Sequence, residues 1–176
     1  MRRILFILLI FQLIIKIKSS KDFIEDVAFI KLGSFHGLDN KGSEYKKTFF
    51  IPRHFRTSWV NSRSICKSYG FDIASFETLQ EANAVMSFCK NHSDSLDYWT
   101  YVGGISLKAR STKNWYWVNS GRKISFEIPF ARNAPDFAGS DEWCLALGPK
   151  ATFDFNDVNC NGYEFKFICQ RINFML

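Results

Sequence analysis

The stretch EWCLALGPKATFDFNDVNC, residues 142–160, carries the most structural information in the chain. Two apolar runs, Leu145 to Leu147 and Thr152 to Phe155, flank a turn signal at Gly148-Pro149. Short β-type runs on either side of a Gly-Pro turn predict a hairpin. Its two ends, Cys144 and Cys160, would then lie close together, and oxygen-bearing side chains cluster at both ends: Glu142, Asp154, Asn156 and Asp157.

The cysteines set the redox question. There are five, Cys66, Cys89, Cys144, Cys160 and Cys169, with neither a CxxC pair nor zinc-type His/Cys spacing, so they read first as disulfides. One must be left over. Omitting one and pairing four leaves fifteen arrangements open, because spacing alone does not fix connectivity. The hairpin favours proximity of Cys144 and Cys160. A helical pattern around Cys66 and a strand pattern around Cys169 are compatible with a long-range staple.

An oxidising compartment agrees with the start of the chain. Arg2 and Arg3 precede twelve residues, Ile4 to Ile15, in which only Gln12 is polar, and Lys16, Lys18, Ser19 and Ser20 end the run. That is the pattern of a secretory signal peptide over residues 1–20. It falls short of the roughly 20 apolar residues that a membrane span needs. The leader holds four bases and no acids, so without it 19 basic residues face 17 acidic ones and the formal charge falls from +6 to +2. A nucleic-acid partner loses its electrostatic basis. The expected organisation is a signal over 1–20, a weakly specified lead-in over 21–46 with a short strand from Val27 to Leu32, and one globular domain over 47–171.

Within that domain, Lys47 to Ile51 reads as a strand closed by Pro52. Thr57 or Ser58 starts a helix in which Trp59, Ser62, Cys66 and Tyr69 recur at helical spacing, and Gly70 ends it. Thr78-Leu79-Gln80-Glu81 is a capping box opening a second helix, with Leu79, Ala82, Met86 and Cys89 along its apolar stripe. Short strands are predicted at Tyr98–Val102, Trp115–Val118, Lys123–Ile128, Cys144–Leu147, Thr152–Phe155 and Phe165–Gln170. Two helices with many short strands give an α+β domain. Trp115 and Trp117, two apart, share one strand face and are expected in the core.

In order and spacing, several elements are similar to the C-type lectin-like domain, and in particular to small secreted lectins of insects and other arthropods. They are Trp59 through Cys66, Ile73 through Glu77, Tyr98-Trp99-Thr100, Trp115 through Gly121, Glu142-Trp143-Cys144, Phe155-Asn156-Asp157, Cys160, and Phe165 through Cys169. The resemblance implies the double-loop fold and the disulfides Cys66–Cys169 and Cys144–Cys160. It also implies a Ca²⁺ site that binds sugar, with Glu142, Asn156 and Asp157 as metal and carbohydrate ligands and Ala134-Pro135-Asp136 at the proline motif. Calcium suits such a site because it takes six to eight oxygens in flexible geometry, leaving positions for two sugar hydroxyls.

Asp136 carries an oxygen, but Ala134 does not. Asn133 replaces the family's usual glycine, and Phe130 and Phe155 replace its tryptophans. Asp136 matches the second half of the galactose-type motif. The expected function is therefore a secreted, calcium-dependent lectin with a degenerate site, recognising microbial or host glycans, and innate immunity is the role the resemblance implies. The alternative is a calcium-independent module that binds a protein surface.

Three features have two readings each. Cys89 is a buried inert thiol or a disulfide to a second chain. Asn91-His92-Ser93 is a sequon, making Asn91 a glycosylation site or an unused one. Glu142 and Asp157 could serve as a glycosidase pair, but the metal reading leaves no free general acid. His36, His54 and His92 show no metal or triad spacing, and no hydrolase or phosphate-loop motif is present, so no enzyme is expected.

Overall fold

In the computed structural model, residues 26–39, 41–107, 114–139 and 141–175 are described, and the expected leader lies outside them. Among the described residues no helix is long and apolar enough to cross a membrane.

Strands β1 (Phe29–Leu38) and β2 (Glu44–Pro52) form an antiparallel hairpin. Helix α1 (Trp59–Ser68), strand β3 (Asp72–Ile73) and helix α2 (Leu79–Asn91) follow, then a short 3₁₀ turn at Ser93–Ser95. The remaining strands are β4 (Thr100–Ser106), β5 (Trp115–Trp117), β6 (Glu142–Leu147), β7 (Phe155–Asn159), β8 (Lys166–Phe167) and β9 (Cys169–Phe174). One sheet runs β1-β2-β9-β3. The other runs β5-β4-β6-β7, with β8 parallel to β4. This is the expected α+β fold, with α1 and α2 the two expected helices, short strands, and a further helical segment at residues 26–28.

Both expected disulfides are formed, Cys66–Cys169 between α1 and β9 and Cys144–Cys160 across the base of the β6–β7 hairpin. The Trp59 indole on α1 donates to the Val102 carbonyl of β4 at 2.6 Å, fixing the helix against the second sheet. Trp115 and Trp117 are both core residues, 1% and 2% exposed.

Several boundaries differ from the sequence reading. The lead-in strand begins at Phe29 instead of Val27, residues 26–28 being helical, and it extends to Leu38 because each residue from Ser34 to Leu38 finds a partner on β2. Thr152 and Phe153 turn rather than extend, since both amides bond the Pro149 carbonyl and Phe153 sits at φ 54°. Residues 165–170 split, as Lys166 and Phe167 pair with β4 before the chain crosses to β2 at Cys169. Lys123–Ile128 is no strand. After one bridge from Lys123 to Tyr116 the segment leaves the sheet, and Pro129 has no amide to extend a ladder.

The capping box forms by half. Thr78 Oγ1 accepts from the Glu81 amide at 3.1 Å, as expected. The Glu81 carboxylate, however, accepts from the Glu77 amide at 2.7 Å, and its other oxygen meets Lys47 Nζ at 2.7 Å.

Candidate functional site

The long connection from β5 to β6 folds back over β7. Its hold on β7 is one carboxylate: Asp157, 2% exposed, accepts from the Asp136 amide at 3.2 Å on Oδ1 and from the Phe137 amide at 2.7 Å on Oδ2. Phe137 takes up the left-handed conformation, φ 48°, and its ring stacks on Trp115 with centroids 6.4 Å apart. Asp157 thus orients the loop, and the loop fixes both oxygens of Asp157.

The other acids are held in the same way. Asp136 Oδ1 accepts from the Ala138 amide at 3.1 Å, and Glu142 Oε2 accepts from the Gly139 amide at 2.8 Å. One oxygen each from Asp136, Glu142 and Asp157 lie within 4.8 Å of one another. Among the described residues, no Lys, Arg or His makes an ion pair with any of the three. Burial pushes the Asp157 carboxyl above the usual range. The amides of Phe137 and Asp136 pull it back, and the Asp136 charge adds to the rise. Like charges this close repel, and a cation between them would relieve that repulsion.

Asn156 precedes Asp157 on β7 and donates from Nδ2 to the Asp157 carbonyl at 2.8 Å, so Oδ1 is the atom it would offer to a metal. Ala134 sits one residue before the motif's proline, where it offers only a methyl group, and the Ala134–Pro135 peptide is cis. The oxygens present fit Ca²⁺, since carboxylates and an amide are the hard donors it takes and the loop amides already set their directions. The sequence brought Asp136, Glu142, Asn156 and Asp157 to attention. It missed the backbone amides that orient them, which leave no mark in residue identity.

It also missed a groove of about 1010 Å³ bounded by Leu79 on α2, by Phe126, Ile128 and Phe130, and by Ala134 and Pro135, the two residues before Asp136. The alternation that suggested a strand at 123–128 lines this groove instead.

Cys89 is 0% exposed inside the core, and burial pushes its thiol up to about 12. The disulfide to a second chain is set aside for that reason, because its sulfur cannot be reached from outside the folded domain. The folded protein should show no reaction with an aromatic disulfide reagent at neutral pH, and one equivalent in denaturant without reductant. Asn91 ends α2 and is exposed. His92 Nδ1 bonds the Phe88 carbonyl of the same helix at 2.9 Å, a local structural contact.

The family pattern of the lectin C-type domain matches residues 56–171. The C-type lectin 37Da of Drosophila melanogaster is 25% identical over 131 residues, covering 70% of this chain and 68% of that protein. Human lithostathine superposes with a TM-score of 0.58 at 23% identity, over 78% of this chain and 88% of its own. The C-type lectin domain of murine dendritic cell inhibitory receptor 2, in complex with N-glycan, gives 0.56 at 17% identity over 72% and 91%. The two structures bear on the fold alone. With the pattern matched over about two thirds of the sequence and its disulfide frame intact, the chain belongs to the C-type lectin domain family.

Proposed function

We propose that this chain is a secreted lectin that binds glycans through a Ca²⁺ held by Asp136, Glu142, Asn156 and Asp157. The observation that carries the proposal is the convergence of three carboxylates within 4.8 Å with no basic partner among the described residues. The family is one of binding proteins, and the chain is a lectin rather than an enzyme. A bound Ca²⁺ supplies open coordination positions that two neighbouring sugar hydroxyls can fill. The residues do the rest: Asp157 and Glu142 fix the loop, and Asp136 and Asn156 present oxygens beside it. Asp136 in the second half of the proline motif leans the preference towards galactose-type sugars. The leader over 1–20 and the two disulfides support export to an oxidising compartment. Exposed Asn91 is proposed as a glycan acceptor there. The ligands we infer are microbial or host glycans, in a role of innate immune recognition.

A second reading has its own observation. Ala134 removes one oxygen, and both Asp157 oxygens are satisfied by amides without a metal, which suits a calcium-independent module that docks a protein surface.

Calorimetry with CaCl₂ separates the two, followed by a glycan array with and without chelator. The lectin reading expects a calcium heat and chelator-sensitive glycan signals. Asp157→Asn and Glu142→Gln should each lower calcium affinity tenfold or more, and Ala134→Glu should raise it. No calcium heat, with chelator-insensitive binding to a protein, would establish the second reading.

A further inference from the structure

Strand β1 is the edge of its sheet, and the order β1-β2-β9-β3 leaves its far side without a neighbouring strand. It is also the longest described strand, 10 residues with one lysine, no acid and no proline. Edges of that length are usually blunted, because an unpaired row of amides and carbonyls is a template for another strand. The sheet's other edge, β3, is only 2 residues long and offers no such row.

Which groups face outward follows from the hairpin. The Asp39 amide donates to the Ser43 carbonyl at 2.9 Å, in step with the pairs Leu38–Glu44 and Gly37–Tyr45. Bonded and non-bonded pairs alternate along an antiparallel ladder, so Gly33, Phe35 and Gly37 turn their backbone groups to β2, while Ser34, His36 and Leu38 turn theirs outward. No described residue takes up those outward groups. Helix α2 packs on the face of β1, where the Phe88 ring fills the place a side chain would take at Gly33, and His36 and Leu38 stay exposed.

The sequence of the strand points to its occupant. Residues 31–39 read KLGSFHGLD, nearly the same from either end about Phe35: Gly33 mirrors Gly37, Leu32 mirrors Leu38, and Lys31 mirrors Asp39 with the charge reversed. A two-fold axis that pairs a strand with its own copy matches residue i to j and j to i. With Phe35 on that axis, Ser34 of each copy exchanges amide and carbonyl bonds with His36 of the other, and both are outward-facing residues. The two half-buried Phe35 side chains then form a close cross-strand aromatic pair. Exposed Lys31 of one copy faces Asp39 of the other, an opposite-charge pair where any like pair would repel. Leu38, 65% exposed, reaches the other copy's bulge between Lys31 and Gly33 and gains cover there. Leu32 belongs to the core and takes no part.

We infer that two copies of this chain dimerise by antiparallel pairing of β1 with β1 about an axis at Phe35, which joins their first sheets into one. The dimer is closed, since this pairing uses the only long edge of that sheet. It stands independently of the sugar reading. Two acid clusters on one particle would give a surface of repeated glycans two points of attachment.

Sedimentation equilibrium of the secreted protein over the micromolar range should show monomer and dimer and nothing larger. His36→Pro removes an amide that the fold does not use, at an edge position where proline is tolerated, and circular dichroism checks that the variant folds. It should loosen the dimer about thirtyfold, the worth of two hydrogen bonds. The register is read by mixing Ser34→Cys protein with His36→Cys protein under oxidised glutathione. These paired positions lie about 5.5 Å apart at Cα, within disulfide range, whereas like positions are offset by two residues and lie roughly 8 Å apart. The mixture should form a covalent dimer and neither variant alone should, with Cys89 buried and out of the exchange. This arm also decides the case if the proline variant does not fold. A protein that stays monomeric throughout the range would overturn the inference, as would open-ended larger assemblies. A dimer that folded His36→Pro leaves intact would rule out the β1 edge. Cross-linking of either single variant as fast as the mixture would rule out the axis at Phe35.

Discussion

Replacing both Cys66 and Cys169 by alanine is expected to lower the unfolding free energy by about 4–5 kcal/mol, against about 3 kcal/mol for the pair Cys144 and Cys160. The difference comes from loop length. The first bridge closes a sequence separation of 103 residues and the second one of 16, and the chain-entropy account gives roughly 4.7 and 3.1 kcal/mol for loops of those sizes. All of the first bridge lies in the core, with Cys66 and Cys169 both 0% exposed between α1 and β9. Truncation to alanine also leaves a cavity where the two sulfurs packed, which places the measured value at or above the entropic one. Domains of this size are stable by about 5–15 kcal/mol, so the first variant falls near the edge of folding at 37 °C. Urea denaturation of the two double-alanine variants gives the comparison directly. Equal losses would mean that the unfolded chain is already compact enough for the long loop to cost no more than the short one.

How far the sequence announced all this varies with the kind of signal. The β6–β7 hairpin was legible because Gly148-Pro149 is a strong local turn and the two cysteines bracket it. The start of β7 was not, since Phe153 is as apolar as a strand residue and only its turn geometry removes it from the ladder. The segment from Lys123 to Ile128 failed for a related reason: apolar alternation reports that one face is covered, but a groove wall and a sheet face produce the same alternation. The α2 cap was half legible. Thr78 acts locally, whereas Glu81 answers to Lys47, 34 positions earlier in the sequence. The acid cluster brings Asp136 within reach of Asp157, 21 positions later, and no local periodicity links them. It was visible only through the resemblance to a known family. Ala134 was flagged there as a missing oxygen, and its part in an apolar wall needed the neighbouring loop in three dimensions.

Lys47→Met is expected to destabilise the domain by about 3–5 kcal/mol, and the double variant Lys47→Met, Glu81→Leu by far less. Lys47 is 1% exposed and Glu81 0%, an ion pair inside the core at 2.7 Å, with Lys47 Nζ also donating to the Ser75 carbonyl at 3.1 Å. Removing one member of such a pair strands the other charge without solvent. Removing both substitutes apolar contacts for two desolvation costs, which is often neutral or favourable. The pH dependence identifies the cause. Burial pushes the Glu81 carboxyl above its ordinary value of 4.5, with Lys47 opposing the rise. A carboxyl raised on folding adds stability that is fully present below its unfolded value and lost as pH climbs through the folded one. Without Lys47 the rise grows, so the single variant should be closest to wild type in acid and lose stability steadily as pH increases from about 4.5 towards neutrality, while the double variant shows no such slope. Urea midpoints at pH 4, 5, 6 and 7 for the three proteins resolve it. A single variant whose loss is the same at every pH would show that Lys47 acts through its packing and its Ser75 bond, and that the charge on Glu81 is not what the lysine offsets.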